Sequence, residues 1–430
     1  MIVETLARRA SEIPVPDAAL RAATRRAFVD WLGVTLGGSD GLPARALRAG
    51  LDVGGGTSRL LGTPGIAPVH VAALINGTAA HTLELDDIYA PGLFHPGAPV
   101  IAAALAVADQ MDATAGELWR ALVVGFEIGC RVAADLGPTH YRHWHTTGTA
   151  GAVGAAAAAA SLHRLDQVTF GHALSLAATM AGGLQQTFRS DAAGKPLHSG
   201  NAAQAGVVAV AAAAGGVTGA SDVLEGDAGL AAATGATTDW AVSAAPLARP
   251  FAIEQVTVKP YACCGHAFSP IDGALELRAQ GVRNVDRLIV ATYATATTVA
   301  GIREPRTAAE RRFSIPYLVA VALLQGRGAL DDLENGVEGQ AVEVTLEVDE
   351  DIDDRFPAHR GARVTAVLPD GERRSIDVPD RSGSPDRPLT DEQLRAKFLS
   401  TSALGARGPQ MLASISGFPD ELPVRALPLA

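Results

Sequence analysis

Two long runs of small residues constrain the fold of this chain more than any other feature of its sequence. Residues 148–162 and 199–214 consist almost entirely of alanine, glycine and valine, and aromatic residues make up only 5% of the chain. Small side chains allow helix axes to approach closely, so these runs predict tightly packed helices. Both runs are too short and too weakly apolar to cross a bilayer, and we expect no membrane partner.

The two parts of the sequence have different periodicities. Apolar residues recur at helical spacing through the first 255 residues, where we find no convincing strand. Beyond them, β-branched residues alternate with polar ones, which predicts an α+β region with an antiparallel sheet. The predicted helices are 17–36, 67–83, 98–109, 115–134, 148–162, 166–181, 199–214, 269–280, 313–325 and a last one near 390–400. The predicted strands are 288–293, 342–348, 363–368 and 375–378.

Charge and cysteine content exclude several classes of protein. The net charge of −11 argues against nucleic-acid partners. The three cysteines are Cys130, Cys263 and Cys264, an odd number with an adjacent pair, which does not indicate a disulfide framework. Residues 1–5 lack the basic and then apolar pattern of a signal peptide. We therefore expect a cytoplasmic protein.

The segment 194–202 places Lys195 and His198 among two glycines, a proline and an asparagine, between the small-residue helices. Two interpretations of Lys195 remain open here. It is either a solvated loop lysine ahead of a helix, or a cation at the rim of a buried site that binds an anionic group of a ligand.

Acidic residues and a histidine flank one irregular loop. Glu84, Asp86 and Asp87 follow the helix 67–83, and His95 precedes the next helix. A carboxylate beside an imidazole can fix its tautomer and raise its pKa. The alternative is a helix end capped by acids, followed by an ordinary loop histidine.

Two further segments contain candidate groups for chemistry. Residues 141–149 place His143 and His145 just before a helix, whose free N–H groups favour anions. No cysteine or acid lies at ligand spacing from these histidines, so we expect no metal. The segment 259–266 begins with Lys259 and ends with Cys264 and His266, and we interpret it as a hinge that presents Lys259 and His266 to a cleft. Motifs for nucleotide cofactors and hydrolase triads are missing, and we expect no cofactor.

Taken together, these segments resemble the MmgE/PrpD family, which includes 2-methylcitrate dehydratase, cis-aconitate decarboxylase and some epimerases of small dicarboxylates. The resemblance extends over nearly the whole chain and rests on five ordered motifs. They are 84–87 with His95-Pro96, His145 ahead of 148–156, 195–202, Lys259-Pro260-Tyr261 with Cys264, and 312–317. Two positions depart from the family pattern, namely Ile88 in the acidic loop and Ala267-Phe268 after the cysteines.

The resemblance implies a mainly α fold, with a large helical domain built from both chain ends (1–257 and 394–430) and a smaller α+β lid domain (258–393). It also implies a homodimer and a metal-free site between the domains. By position, the catalytic residues would be Asp86, His95, His145, Lys195 and Tyr317. Substrate contacts are expected from Glu84, Arg189, His198, Lys259, Cys264 and His266.

The implied function is that of a lyase, a dehydratase or decarboxylase, that acts on a small di- or tricarboxylate. His95 and His145 suit proton transfer, Lys195 suits carboxylate binding, Tyr317 can donate a hydrogen bond or a proton, and Asp86 would orient a histidine. The first alternative is an isomerase or epimerase that uses the same carbanion chemistry. A non-catalytic carboxylate-binding protein is the second alternative, but two candidates for proton transfer favour an enzyme.

Overall fold

The computed structural model describes residues 1–189, 192–326, 333, 335–336 and 342–429. The chain forms two compact units. Residues Met1–Val258 and Thr390–Ala430 form the first, here called the helical unit, and Lys259–Leu389 form the second, here called the sheet unit. Among the described helices, none combines the length and the hydrophobicity needed to cross a membrane.

The helical unit contains eleven described helices before the sheet unit and two after it. The first eleven are α1 Ile2–Glu12, α2 Ala18–Gly38, α3 Leu42–Gly50, α4 Val69–Thr82, α5 Gly97–Met111, α6 Ala115–Tyr141, α7 Thr146–Leu162, α8 Gln167–Thr179, α9 Lys195–Ala214, α10 Leu230–Thr234 and α11 Ala241–Ala244. Two-residue strands, β1 Ser58–Arg59 and β2 Ile66–Ala67, pair between α3 and α4. The expectation of no strand in this region is therefore wrong in this detail, because a two-residue strand is too short to show alternation.

Helix α7 lies at the centre of the helical unit. All of its residues except Ser161 are buried, and it packs against α5, α6, α8 and α9. Glycines permit this close packing. A methyl group on Gly206 of α9 would lie 2.5 Å from the backbone nitrogen of Ala156, and one on Gly154 would lie 2.9 Å from the carbonyl oxygen of Gly125 on α6. The tight helix packing predicted from the small residues is present, and the mainly α fold class is confirmed.

The predicted start of the helix 199–214 is wrong, and the correct start changes the position of Lys195. Helix α9 begins at Lys195 and not at Ser199. Proline is well suited to the first turn of a helix, since its φ is already helical and its missing N–H has no helical acceptor there. Pro196 therefore starts the helix, and Lys195 belongs to its first turn.

The sheet unit combines four strands with five described helices. The strands are β3 Arg287–Thr292, β4 Glu343–Val348, β5 Ala362–Val367 and β6 Arg373–Val378. The helices are α12 Phe268–Ala279, α13 Ala294–Val299, α14 Ala308–Arg312, α15 Ile315–Gln325 and α16 Glu350–Asp353. The helical unit resumes with α17 Asp391–Thr401 and α18 Gly408–Ser416.

The sheet has the strand order β4-β3-β5-β6, and its pairings are mixed. β5 pairs antiparallel with both β3 and β6, whereas β3 and β4 are parallel. This parallel pair departs from the predicted antiparallel sheet. Helices α13, α14 and α15 lie between β3 and β4 in the chain, and such a crossover brings the second strand back in the same direction.

Candidate active site

A lysine from the last part of the chain anchors the acidic loop between α4 and α5. Lys397, on α17, donates from Nζ to the carbonyl oxygen of Leu85 at 2.9 Å and pairs with the carboxylate of Asp30 on α2. The two charged side chains are only 6% and 3% exposed. The loop is thereby fixed next to Asp86 by a buried ion pair.

Asp86 places one carboxylate oxygen near two histidines. Its Oδ2 atom lies 2.7 Å from Nδ1 of His81, in the last turn of α4, and 3.5 Å from Nδ1 of His95. Nδ1 of His95 also lies 2.8 Å from the carbonyl oxygen of Asp87, which can only accept a hydrogen bond. In neutral His95 the proton is therefore on Nδ1, and Nε2 carries the lone pair.

Asp87 has a different environment from its neighbour Asp86. Its Oδ1 atom accepts a hydrogen bond at 2.9 Å from the backbone N–H of Gly97, the first residue of α5. Burial, followed by repulsion from Asp86, raises the pKa of the Asp87 carboxyl well above its usual value. Asp87 thus binds a free N–H at the start of α5, and not the end of α4, where the alternative interpretation placed the acids.

His145 and His198 form a second close pair. Their Nδ1 atoms are 3.2 Å apart, and His145 is fully buried immediately before α7. Burial is the main cause that lowers the pKa of His145 well below its usual value, and the nearby His81 and Lys195 contribute as well. The same three causes lower the pKa of His198 to about 4. Both rings are therefore neutral at neutral pH, and one Nδ1–H donates to the other Nδ1.

These four residues form one group, here called the histidine cluster: His81, His95, His145 and His198. The ring of His81 has its centroid 4.9 Å from that of His95 and 5.4 Å from that of His145. His145 lies 6.3 Å from His95 and 5.4 Å from His198 by the same measure. Nε2 of His81 is buried and has no hydrogen-bond partner among the described residues.

Lys195 lies beside the histidine cluster and is paired with Glu84. Its Nζ atom is 2.9 Å from Oε2 of Glu84, and its side chain is 18% exposed. Burial opposes the ammonium form, but the Glu84 carboxylate, with contributions from Tyr141 and Asp86, favours it, and the pKa of Lys195 is raised. Lys195 is therefore a largely buried cation close to titratable groups, and not a solvated loop lysine.

A metal ion has one candidate position in the described part of the chain. Ligand atoms of His81, Asp86 and His95 all lie within 4.8 Å of one another. Two imidazoles and a carboxylate are a donor set that Zn²⁺ accepts. The sequence analysis did not consider these three residues as metal ligands.

The candidate residues of the sheet unit lie on several segments. Lys259 is almost fully buried. The backbone N–H of Cys264 donates to the carbonyl oxygen of Arg312 at 2.9 Å. Nδ1 of His266 lies 2.6 Å from the hydroxyl of Tyr293, a residue that the sequence analysis did not select. Burial is the main cause that lowers the pKa of His266 to about 4, so this imidazole is neutral.

Tyr317 lies in the first turn of α15, where its backbone N–H donates to the side chain of Ser314 at 3.2 Å. Its half-buried side chain lines a cavity of about 580 Å³ together with Arg303, Glu304 and the start of β4. Arg189 ends a short 3-10 helix, Gln185–Arg189, and its side chain lies outside the described residues.

Sequence reasoning missed three residues that build this site. His81 is hidden in the apolar pattern of α4, although it precedes Asp86 by only five residues. Asp30 and Lys397 belong to helices that are far apart in the chain. Local spacing cannot show such a contact, because the fold brings the two residues together over 366 intervening positions.

Comparisons with known proteins give a consistent result. The model of the MmgE/PrpD N-terminal domain matches residues 4–243, and that of the MmgE/PrpD C-terminal domain matches residues 261–410. The cis-aconitate decarboxylase-like protein oryM of Aspergillus oryzae is 26% identical over 360 residues, which cover 76% of this chain and 74% of that protein. The cis-aconitate decarboxylase of Homo sapiens is 30% identical over 185 residues, but these cover only 41% of this chain and 37% of the human protein.

Proposed function

Because the chain belongs to the MmgE/PrpD family, we propose that it is a lyase that acts on a small di- or tricarboxylate without a cofactor, as a decarboxylase or dehydratase. The observation that carries this proposal is the neutral, buried His145 with the ammonium group of Lys195 nearby. Reactions at a carbon next to a carboxylate pass through a carbanion-like or enolate-like state. Such a state needs a neutral base, an acid and a cation that stabilises the negative charge.

The histidines supply the proton-transfer groups in this proposal. A base must be unprotonated before it reacts, and the low pKa of His145 keeps it so throughout the neutral range. His95 presents Nε2 as its reactive nitrogen, since Nδ1 is committed to the carbonyl oxygen of Asp87. Asp86 stabilises the protonated form of a neighbouring imidazole, which helps that ring to hold a proton after transfer.

Lys195 supplies the cation. A substrate carboxylate would replace the Glu84 carboxylate on Nζ or share Nζ with it. In both cases the ammonium group keeps a negatively charged partner. In a decarboxylation, the electron pair of the broken C–C bond stays on the substrate carbon as CO2 leaves, and a protonated imidazole then donates a proton to that carbon. In a dehydration, a neutral imidazole removes the proton next to the carboxylate, and a second, protonated imidazole donates a proton to the hydroxyl, which then departs as water.

The test is turnover of cis-aconitate, citrate and 2-methylcitrate by the whole protein, followed by proton NMR. The two relatives carry cis-aconitate in their names, so this acid is tried first. His145→Gln should lower turnover by about 10²–10⁴ if His145 is the acid or base. His143→Gln is the matched control, since His143 is exposed and lies two residues away. Equal rates for the two variants would remove His145 from the mechanism.

An epimerase is the second candidate, because His95 and His145 lie on two different segments with ring centroids 6.3 Å apart. Inversion at a carbon requires two separate groups, a base that removes the proton and an acid that returns one. Incubation in D2O separates the candidates. Deuterium incorporation without loss of the acid indicates epimerisation, whereas a new alkene or released CO2 indicates a lyase.

A further inference from the structure

His81 packs against both histidines to which the proposed function assigns proton transfer. Its ring centroid is 4.9 Å from that of His95 and 5.4 Å from that of His145, whereas the rings of His95 and His145 are 6.3 Å apart by the same measure. The rings of His81 and His145 are stacked with an interplanar angle of 27°, and the ring of His95 meets that of His81 edge-on at 62°. One side chain therefore contacts both proton-transfer groups.

Helix packing fixes His81 in this position. The residue belongs to the last turn of α4. One turn earlier, Gly77 allows α4 and α9 to approach closely, since a methyl group on Gly77 would lie 3.1 Å from Cα of Gly200. The side chain of His81 has no exposed surface. A side chain without exposed surface does not touch a substrate, so any part that His81 plays in the reaction must act through its neighbours.

One of these neighbours is the carboxylate of Asp86. Nδ1 of His81 lies 2.7 Å from Oδ2 of Asp86, and the same oxygen lies 3.5 Å from Nδ1 of His95. An ionised carboxylate can only accept a hydrogen bond, so His81 donates from Nδ1. A short, charge-assisted hydrogen bond of this kind restrains the oxygen that it binds. His81 thereby sets the distance from which the Asp86 carboxylate acts on His95.

Packing alone does not explain a histidine at position 81. Its Nε2 atom is buried and has no hydrogen-bond partner among the described residues. A buried polar atom without a partner destabilises the folded state, and an apolar side chain of similar size would avoid this cost. The imidazole offers what an apolar side chain lacks, namely the Nδ1–H that binds Asp86.

We propose that His81 is a positioning residue of the active site, whose Nδ1–H holds the Asp86 carboxylate beside His95 and whose ring holds His145 in place. The inference rests on the proposed function, because it takes His95 and His145 to be the groups that transfer protons. The two contacts use different parts of the imidazole, so two substitutions at the same position can separate them.

The first experiment measures kcat and KM of the whole protein with whichever of cis-aconitate, citrate and 2-methylcitrate the wild type turns over. His81→Phe keeps a ring and removes the donor, whereas His81→Asn keeps a donor near the position of Nδ1 and removes the ring. His70→Asn is the matched control, since His70 is an exposed histidine of the same helix. We expect kcat to fall about 10–100-fold in His81→Phe and about 3–10-fold in His81→Asn, with KM within about twofold of the wild type in both.

A double variant tests whether the effect passes through Asp86. If His81 acts on the reaction by holding this carboxylate, His81→Phe should lower kcat much less in an Asp86→Asn background than in the wild type. Equal losses in the two backgrounds would refute the coupling. A structural role alone would lower the melting temperature of His81→Phe in both backgrounds and leave kcat of the folded protein unchanged.

Proton NMR of the protein with isotope-labelled histidine tests the hydrogen bond without any substrate. The Nδ1–H of His81 should give a far-downfield, slowly exchanging signal, because it is buried and donates to a carboxylate. This signal should be absent from both His81 variants, move upfield in Asp86→Asn and stay unchanged in His70→Asn. A signal that persists in His81→Phe, or that does not respond to Asp86→Asn, refutes the hydrogen bond on which the inference stands.

The two readouts also separate this inference from the proposed function. A wild-type kcat in both folded His81 variants supports the lyase and refutes the positioning role. A chain that shows the expected signal but transforms none of the three acids counts against the lyase and leaves the bond between His81 and Asp86 established. Should His81→Phe fail to fold, His81→Asn and the NMR signal decide, and a wild-type kcat in His81→Asn then refutes the role of the ring.

Discussion

Replacing Lys397 by methionine removes the charge that anchors the acidic loop. Methionine has a similar length and can fill the space, but it cannot donate to the carbonyl oxygen of Leu85 or neutralise Asp30. The variant leaves a carboxylate that is only 3% exposed without its ammonium partner. The loss of stability should therefore come chiefly from an uncompensated buried charge.

The expected magnitude follows from this burial. Breaking a buried ion pair by removing one partner costs about 3–5 kcal/mol, whereas replacing both partners by apolar residues is often nearly neutral. Lys397→Met should thus lower the free energy of unfolding by about 3–5 kcal/mol, and the double variant Asp30→Leu/Lys397→Met should recover most of this loss. Lys397→Arg should fall between the wild type and Lys397→Met, because it keeps the charge in a cavity shaped for a narrower group.

Urea unfolding followed by tryptophan fluorescence measures the loss of stability in the helical unit, to which Asp30 and Lys397 belong. All four tryptophans of the chain, Trp31, Trp119, Trp144 and Trp240, belong to the helical unit. Arg395→Met is the matched control, since Arg395 is an exposed cation on the same helix, and it should change stability by less than about 0.5 kcal/mol.

Two results would refute this reasoning. One is a Lys397→Met variant within about 1 kcal/mol of the wild type, which would mean that Asp30 is hydrated or protonated at no great cost. The other is a double variant that is no more stable than Lys397→Met. If the double variant is stable and still turns over acids at the wild-type rate, the loop needs no anchor at Leu85 to place Asp86.

Three further predictions follow from the same structure. Burial lowers the pKa of His140 to about 4, so below pH 6.5 the unfolded chain binds a proton at this residue and the folded chain does not. The free energy of unfolding should therefore fall as the pH decreases from about 6.5 to 4, by about 1.4 kcal/mol per pH unit for each such histidine. A His140→Gln variant should show a shallower pH dependence. Gly206→Ala should destabilise the helical unit by about 1–3 kcal/mol through its clash with α7, whereas Gly171→Ala, where a methyl group meets nothing within 4 Å, should stabilise it by about 0.5–1 kcal/mol. EDTA should leave turnover unchanged within about twofold; a loss that one divalent ion restores would instead make His81, Asp86 and His95 metal ligands.

Helices were easier to predict than the details of the sheet. Periodicity located α2 and α4 to α9 because their buried faces are wide and rich in small residues. The start of α9 was misplaced by four residues, since the glycine and proline of the segment indicate a loop as readily as the first turn of a helix. The parallel pairing of β3 and β4 could not be deduced, because alternation shows which face is buried and not the direction of the neighbouring strand.

The candidate site was predictable where its residues are near one another in sequence. Glu84, Asp86 and His95 lie on one loop, and the structure adds His145, His198 and Lys195 to the same neighbourhood. One global signal was available for Lys397. Of the 35 lysine and arginine residues only three are lysines, Lys195, Lys259 and Lys397, and none of the three is exposed. Where a chain uses arginine almost everywhere, its few lysines mark positions that need a compact charge.

Because the chain has only three lysines, the reactivity of the Lys195 amine can be measured directly by acylation. Its side chain is 18% exposed, against 6% for Lys397, so it should be the lysine that reacts first. Only the neutral amine reacts, and Glu84 keeps the pKa of Lys195 raised against the opposing effect of burial. Glu84→Gln leaves burial without that compensation, so the pKa should fall, and acylation at pH 8 should accelerate about tenfold for each unit of the fall. Peptide mass spectrometry measures the rate, with the exposed amine of Met1 as the internal reference in each sample. Equal rates in wild type and variant would show that Glu84 does not control the charge of Lys195.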